Sequence, residues 1–201
     1  MYLFIGDTKA LLVDSGTGDA DVVSAVDAVL AGKNVDLVVA RSHAHGDHTG
    51  GEPDLANRAR TTLIGKPKTA TIDLGNRVLD VIPIPGHEAS HVAYYDAKTR
   101  ILLTGDTLYP GRLYVNDFTA YKSSIAKLVD FVDKHPPSLV LGAHVELSKT
   151  NTEFKAGLKT HPNEHPLSLA ESDLRDLYAE TQKMSGPARV VGPRWIIVPV
   201  N

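Results

Sequence analysis

The sequence predicts a layered α/β fold. The chain reads strand-rich first and helical later, and its strand-like runs fall into two groups, each accompanied by amphipathic helical stretches. Two half-sheets with helices outside them fit that order better than a parallel barrel.

Residues 2–5 and 10–13 are apolar runs around a Gly6-Asp7-Thr8-Lys9 turn and read as paired strands. Residues 19–31 carry Val22, Val26, Val29 and Leu30 at helical spacing, with Gly32 as a stop. Residues 35–40 form a β-branched run expected to be a buried strand, which completes a β-α-β unit. Residues 61–64, 69–74, 77–84, 91–95 and 100–103 read as further short strands, with a hairpin signal at Gly75-Asn76. Residues 123–134 place Ile125, Leu128, Val129 and Val132 on one helical face, and Pro136-Pro137 ends that helix. A strand at 138–141, a helix at 171–183 and a strand at 195–198 follow. No repeat, low-complexity segment or linker interrupts the 201 residues, so one domain over 1–201 is expected.

Composition excludes several classes. Hydrophobic residues make up 42% and charged residues 22%, ordinary values for a globular protein. The net charge of -3 offers no basic field to hold nucleic acid. No apolar run approaches the roughly 20 residues that span a bilayer. The start, Met1 to Asp7, lacks a basic leader and a long apolar region, so a cytoplasmic location is expected. With no cysteine, disulfides, thiolate ligands and a cysteine nucleophile are ruled out. The expected partner is a small-molecule substrate, and a homo-oligomer is left open.

The densest chemistry lies in Ser42-His43-Ala44-His45-Gly46-Asp47-His48, directly after the 35–40 run. A strand ending in His-x-His would put two imidazoles on one side, because side chains alternate with period 2. Gly46 would make a tight bend that delivers Asp47 and His48 in a new direction, at the start of a helix. Imidazole and carboxylate are ligands that divalent metals such as zinc prefer. Three later positions repeat the pattern of strand, small residue, ligand: His87 after Pro85-Gly86, Asp106 after Thr104-Gly105, and His144 after Gly142-Ala143. Each alone is an ordinary turn residue; their value lies in repetition.

These motifs resemble the metallo-β-lactamase superfamily of metallohydrolases. His43, His45, Asp47 and His48 match its H-x-H-x-D-H motif, Pro85-Gly86-His87 its P-G-H, Thr104-Gly105-Asp106 its T-G-D, and Gly142-Ala143-His144 its late G-x-H. The resemblance covers about three quarters of the chain, and it implies a four-layered αββα sandwich. It also implies a ligand set: His43, His45 and His87 for one metal, Asp47, His48 and His144 for a second, with Asp106 bridging. The cofactors implied are two divalent ions, most readily zinc, with iron or manganese accepted by the same donors. The implied reaction is attack on a scissile bond by a hydroxide bridging the two metals. Asp47 would orient that nucleophile or shuttle a proton to the leaving group.

Within the superfamily, the bridging Asp106 and its Gly-Asp-Thr context look more like glyoxalase II and the lactonases than the β-lactamases proper. The substrate expected is an ester, lactone or thioester. Tyr109, three residues after Asp106, matches the tyrosine of the acyl-homoserine lactonases; it would donate a hydrogen bond to an oxyanion, or it packs in a Tyr-Pro-Gly turn. Arg112, Tyr114 and His165 are candidates for the substrate cleft, as are His161 and Glu164, although surface placement is the default for Arg112 and Tyr114 and a proline-punctuated capping loop is the favoured reading of the 161–166 segment. His91 either fixes a ligand by hydrogen bond or starts a strand, and His135 is read as exposed. The basic C-terminal helical motifs of glyoxalase II are not found. The alternatives kept open are a mononuclear-iron enzyme similar to the persulfide dioxygenases and a β-lactam or phosphodiester hydrolase on the same scaffold. A nuclease would need a basic groove that the chain lacks.

Overall fold

Strand and helix formation follow the apolar pattern closely. The computed structural model describes residues 1–155, 157–158 and 160–200. Two compact units divide it: residues 1–81 with 96–98, and residues 82–95 with 99–200.

In the first unit, β1 (Tyr2–Ile5) and β2 (Lys9–Val13) pair antiparallel; α1 (Val22–Leu30) then leads to β3 (Asp36–Ala40), which is parallel to β2. Asp21 caps α1 by accepting from the Ser24 N–H at 2.9 Å. Val22, Val26 and Leu30 are the buried face of α1, whereas Val29, expected beside them, is 54% exposed. Its position is one step round the helix from Leu30, on the solvent side of the stripe. Two short helices, α2 (Gly46–Thr49) and α3 (Glu52–Ala56), precede β4 (Thr61–Gly65), which closes the sheet order β1-β2-β3-β4. The core of this unit packs Ala10, Leu12, Leu37 and Val39 of the sheet against α1 and Leu55. The hairpin signal holds: β5 (Thr71–Asp73) pairs antiparallel with β6 (Val78–Pro83), with Gly75 and Asn76 both at positive φ in the turn.

In the second unit, β7 (Val92–Asp96), β8 (Ile101–Gly105), β9 (Arg112–Val115), α4 (Phe118–Val132), β10 (Leu139–Gly142), β11 (Ser168–Leu169), α5 (Glu171–Lys183), β12 (Val190–Val191) and β13 (Ile196–Pro199) follow. Its larger sheet has the order β11-β10-β8-β7, and β12-β13-β9 form a smaller one. The helix expected at 123–134 begins earlier, at Phe118, because Asp117 accepts from the Ala120 N–H and starts the first turn. Ile125, Leu128, Val129 and Val132 face the core as the spacing requires, together with Tyr121 and Trp195. The strand β9 was not anticipated, although its alternating burial, with Leu113 and Val115 inside, is the period-2 pattern.

Candidate metal centre

In the first unit, the parallel register places Val13 opposite Ala40, so the chain segments after β2 and β3 leave the sheet together. Asp14, at a φ of 62°, turns its carboxylate onto the second of these segments. Its Oδ1 accepts from the Ser42 N–H at 2.6 Å and its Oδ2 from the Ser42 hydroxyl at 2.9 Å. The ladder therefore ends at Ala40, and His43 and His45 lie beyond the strand rather than on it. Their convergence comes from the bend, not from strand alternation: His43 Nε2 and His45 Nδ1 lie 3.0 Å apart with the rings edge to face. Gly46 is the first residue of α2; it has no positive φ, and a Cβ there would meet nothing within 4 Å. The bend expected of it is made without any need for glycine.

The outer nitrogens of two histidines are held from behind. Ser42 Oγ, whose hydroxyl hydrogen points at Asp14, stands 3.0 Å from His43 Nδ1, which donates to it. His48 Nδ1 donates to Asp14 Oδ2 at 3.0 Å. Both rings are thereby set in the tautomer that keeps the basic lone pair on Nε2. His43 and His48 are buried, while Asp47 is exposed, its carboxylate 3.5 Å from His48 Nε2.

In the second unit, Gly86 sits at a φ of 142°, and a Cβ there would lie 2.5 Å from Cα of Tyr121 in α4. The Gly86 carbonyl accepts from the N–H groups of Asn116 and Asp117, which pins the turn to the start of that helix. His87, buried, follows; its Nδ1 donates to the Tyr114 carbonyl at 2.7 Å, again leaving Nε2 basic. The register of β8 and β10 aligns Gly105 with Gly142, so the turns bearing Asp106 and His144 leave the sheet side by side. Gly142 permits that approach, since a Cβ there would fall 2.5 Å from the Leu108 carbonyl oxygen. Asp106 Oδ2 lies 3.6 Å from His87 Nε2 and 3.3 Å from His144 Nε2. Inside the units, the ligand atoms of His43 and His45, of Asp47 and His48, and of Asp106 and His144 come within 4.8 Å of each other. Imidazoles, three of them with an outer nitrogen hydrogen-bonded, and carboxylates among them are the donors a divalent ion takes, so these residues fit such an ion.

The remaining sequence candidates separate. Tyr109 is 1% exposed, and its hydroxyl donates to the Arg112 carbonyl while Glu146 Oε2 lies 3.3 Å away. Burial, then Glu146 and Asp106, push the phenol far above its ordinary value. Its one proton is thus directed at backbone rather than held toward a ligand, and its ring lies 5.3 Å from that of His144. Arg112 forms a two-point pair with Glu146, Nη2 to Oε1 at 2.9 Å and Nε to Oε2 at 3.2 Å. A cleft of about 160 Å³ is lined by Arg112, His144, Glu146, Phe154, Lys155 and His161 among others. His161 stacks on Phe154 at 4.3 Å; His165 does not line this cleft and lies near Arg194 and Asp173 instead. Glu164 pairs with His161 at 3.5 Å, His91 is fully buried, and His135 is exposed as expected. Asp14 and Ser42 were not anticipated. The one local signal was a carboxylate directly after an apolar run.

The sequence model of the Metallo-beta-lactamase superfamily matches residues 1–76 and 65–144. The chain belongs to this superfamily, and its fold is the α/β metallo-β-lactamase fold that the motifs implied. Among curated proteins, it is 30% identical over 181 residues to a hydroxyacylglutathione hydrolase of Hamiltonella defensa, covering 82% of this chain and 70% of that one. It is 26% identical over 199 residues to the hydroxyacylglutathione hydrolase of Bdellovibrio bacteriovorus, covering 89% and 75%. It is 31% identical over 143 residues to the lactamase-like protein aptB of Emericella nidulans, covering 64% of this chain and under half, 46%, of that protein. Among solved structures, a metallo-beta-lactamase from Pontibacter korlensis superposes with a TM-score of 0.62 at 18% identity, over 90% of this chain and 86% of that one. ETHE1 from Myxococcus xanthus gives 0.59 at 19%, over 89% and 79%. At such identities these two share the fold. No helix among the described residues is long and apolar enough to cross a membrane.

Proposed function

We propose that the chain, acting as one catalytic domain over residues 1–201, is a metal-dependent hydrolase of an ester, lactone or thioester. Its ions, two per chain and zinc foremost, would be held by His43, His45 and His87, by Asp47, His48 and His144, and by Asp106 shared between them. When bound, such ions supply an activated water near neutral pH and polarise the scissile carbonyl. The protein's own part is orientation. Asp14 and Ser42 fix His43 and His48, and the Tyr114 carbonyl fixes His87. Asp47, 42% exposed at its side chain, has the freedom to take a proton and return it to the leaving group. Tyr109 would be a positioning residue behind His144, with oxyanion donation as the alternative its variant tests.

The observation that carries this reading is Asp106, whose Oδ2 faces the Nε2 atoms of both His87 and His144. The 30% identity to a hydroxyacylglutathione hydrolase supports the thioester end of the range. The test is a hydrolysis screen of the metal-loaded protein on lactones, aryl esters, glutathione thioesters, phosphodiesters and β-lactams. Turnover of one of the first three with two ions bound is the expected result. Turnover of phosphodiesters or β-lactams alone would move the substrate class, and one iron with oxygen uptake on a persulfide would overturn the proposal.

A further inference from the structure

We propose that His91 is a positioning residue that ties the turn bearing Asp106 to the loop bearing His87, so that these two keep a fixed spacing; this rests on the metallohydrolase reading above. His91 is fully buried, and its Nδ1 lies 3.1 Å from the hydroxyl of Thr107, the residue that follows Asp106. Thr107 is itself immobilised: it is fully buried, its N–H donates to the Thr104 carbonyl at 3.0 Å, and its carbonyl accepts from the Tyr121 hydroxyl at 2.7 Å. A push or pull on the Thr107 side chain is therefore passed to the neighbouring Asp106 rather than absorbed.

On its other side, His91 belongs to the loop of His87. Its N–H donates to the Glu88 carbonyl at 3.2 Å, and its own carbonyl accepts from the Ile84 N–H at 2.9 Å. Its ring meets that of His87 nearly edge-on, centroids 5.7 Å apart. His91 thus joins two of the ligand-bearing segments of the second unit, the Asp106 turn through its side chain and the His87 loop through its backbone and the ring contact. An imidazole in so buried a place costs desolvation, which a purely space-filling ring would avoid; the bond to Thr107 contributes to offsetting it.

The test compares zinc affinity, by chelator competition, and steady-state kinetics for the wild type, His91→Asn, His91→Phe, Thr107→Val and the His91→Phe, Thr107→Val double variant. Asn offers a donor or acceptor at the position of Nδ1, whereas Phe keeps the ring and removes the bond. Partners bonded directly to a metal ligand are worth about 10–100-fold in metal affinity or activity, and His91, one residue removed through Thr107, is set at the lower end, about 10-fold. His91→Phe and Thr107→Val should each lose that much affinity, with kcat falling and KM nearly kept. The double variant should be no worse than either single one, and His91→Asn should bind nearly as tightly as the wild type. Should His91→Phe misfold, Thr107→Val alone carries the test. Wild-type affinity in Thr107→Val and in a folded His91→Phe would overturn the positioning role, as would a folded His91→Asn that fails as badly as Phe. A wild type that binds no ion overturns the metallohydrolase reading instead, which keeps the two failures apart.

Discussion

Oδ2 of Asp14 lies 3.0 Å from Nδ1 of His48, across 34 positions of sequence. The same carboxylate takes both the N–H and the hydroxyl of Ser42, so one residue after β2 sets the conformation of the whole histidine loop after β3. Replacing it removes three hydrogen bonds at once. Asp14→Ala should destabilise the ion-free protein by about 1–3 kcal/mol in urea denaturation, because buried partners lose their acceptor. Zinc affinity should fall about 10–100-fold with it. Unchanged affinity would mean that the His48 ring is held by something other than Asp14.

Tyr109→Phe separates positioning from oxyanion donation. Loss of one oxyanion donor costs about 10²–10³ in kcat. Because the phenol is committed to the Arg112 carbonyl, kcat on esters and lactones should instead change by well under about 10²-fold, with a stability loss of about 1–3 kcal/mol. A fall in kcat across the larger range would make Tyr109 a catalytic donor. The raised phenol pKa gives a second readout. The protonated form is favoured in the fold, so its contribution is complete below the ordinary value near 10 and declines above it. Melting curves from pH 8 to 11 should fall less steeply for Tyr109→Phe than for the wild type.

Gly86→Ala and Gly46→Ala make a matched pair. At Gly86 a methyl would collide with the Tyr121 backbone in a left-handed region, so thermal melts should show a loss of about 1–3 kcal/mol or more. At Gly46 the same methyl meets nothing, and the change should stay within about 0.5 kcal/mol. A large loss at Gly46 would restore the tight-bend role.

His165 carries a pKa lowered first by burial and then by the charge of Arg194. Folded His165 binds its proton less readily than the unfolded chain does. The stability it contributes is therefore present above about pH 6.5 and lost as pH falls through its lower folded value. An NMR titration of its ring should give a midpoint below about 6.5. A midpoint at or above that value would contradict the burial assigned to it.

The motifs that sequence resolves are those whose chemistry is local. His43 to His48, His87, Asp106 and His144 announced themselves by residue type after a strand, and α5 was legible to the residue at both ends. What escaped depends on contacts distant in sequence. Asp14 matters because the parallel register of β2 and β3 sets Val13 opposite Ala40, which nothing near Asp14 encodes. The strand β9 was obscured because Arg112 and Tyr114, its outward-facing residues, read as cleft-lining groups, while the inward pair Leu113 and Val115 is short. His165 and His161 are alike in sequence, and the structure puts only His161 in the cleft beside His144. His43 and His45 converge through the bend and not on one strand face, since the strand ends three residues before His43.

In the proposed hydrolytic site, Asp106 would be the ligand shared by two ions. Metal content by mass spectrometry, read with hydrolysis rates on the responsive substrate for the wild type and Asp106→Ala, tests it most directly. Two divalent ions per wild-type chain are expected, and for Asp106→Ala the loss of at least one ion together with turnover. Near-normal hydrolysis by Asp106→Ala, or a wild type carrying a single iron and consuming oxygen, would contradict it.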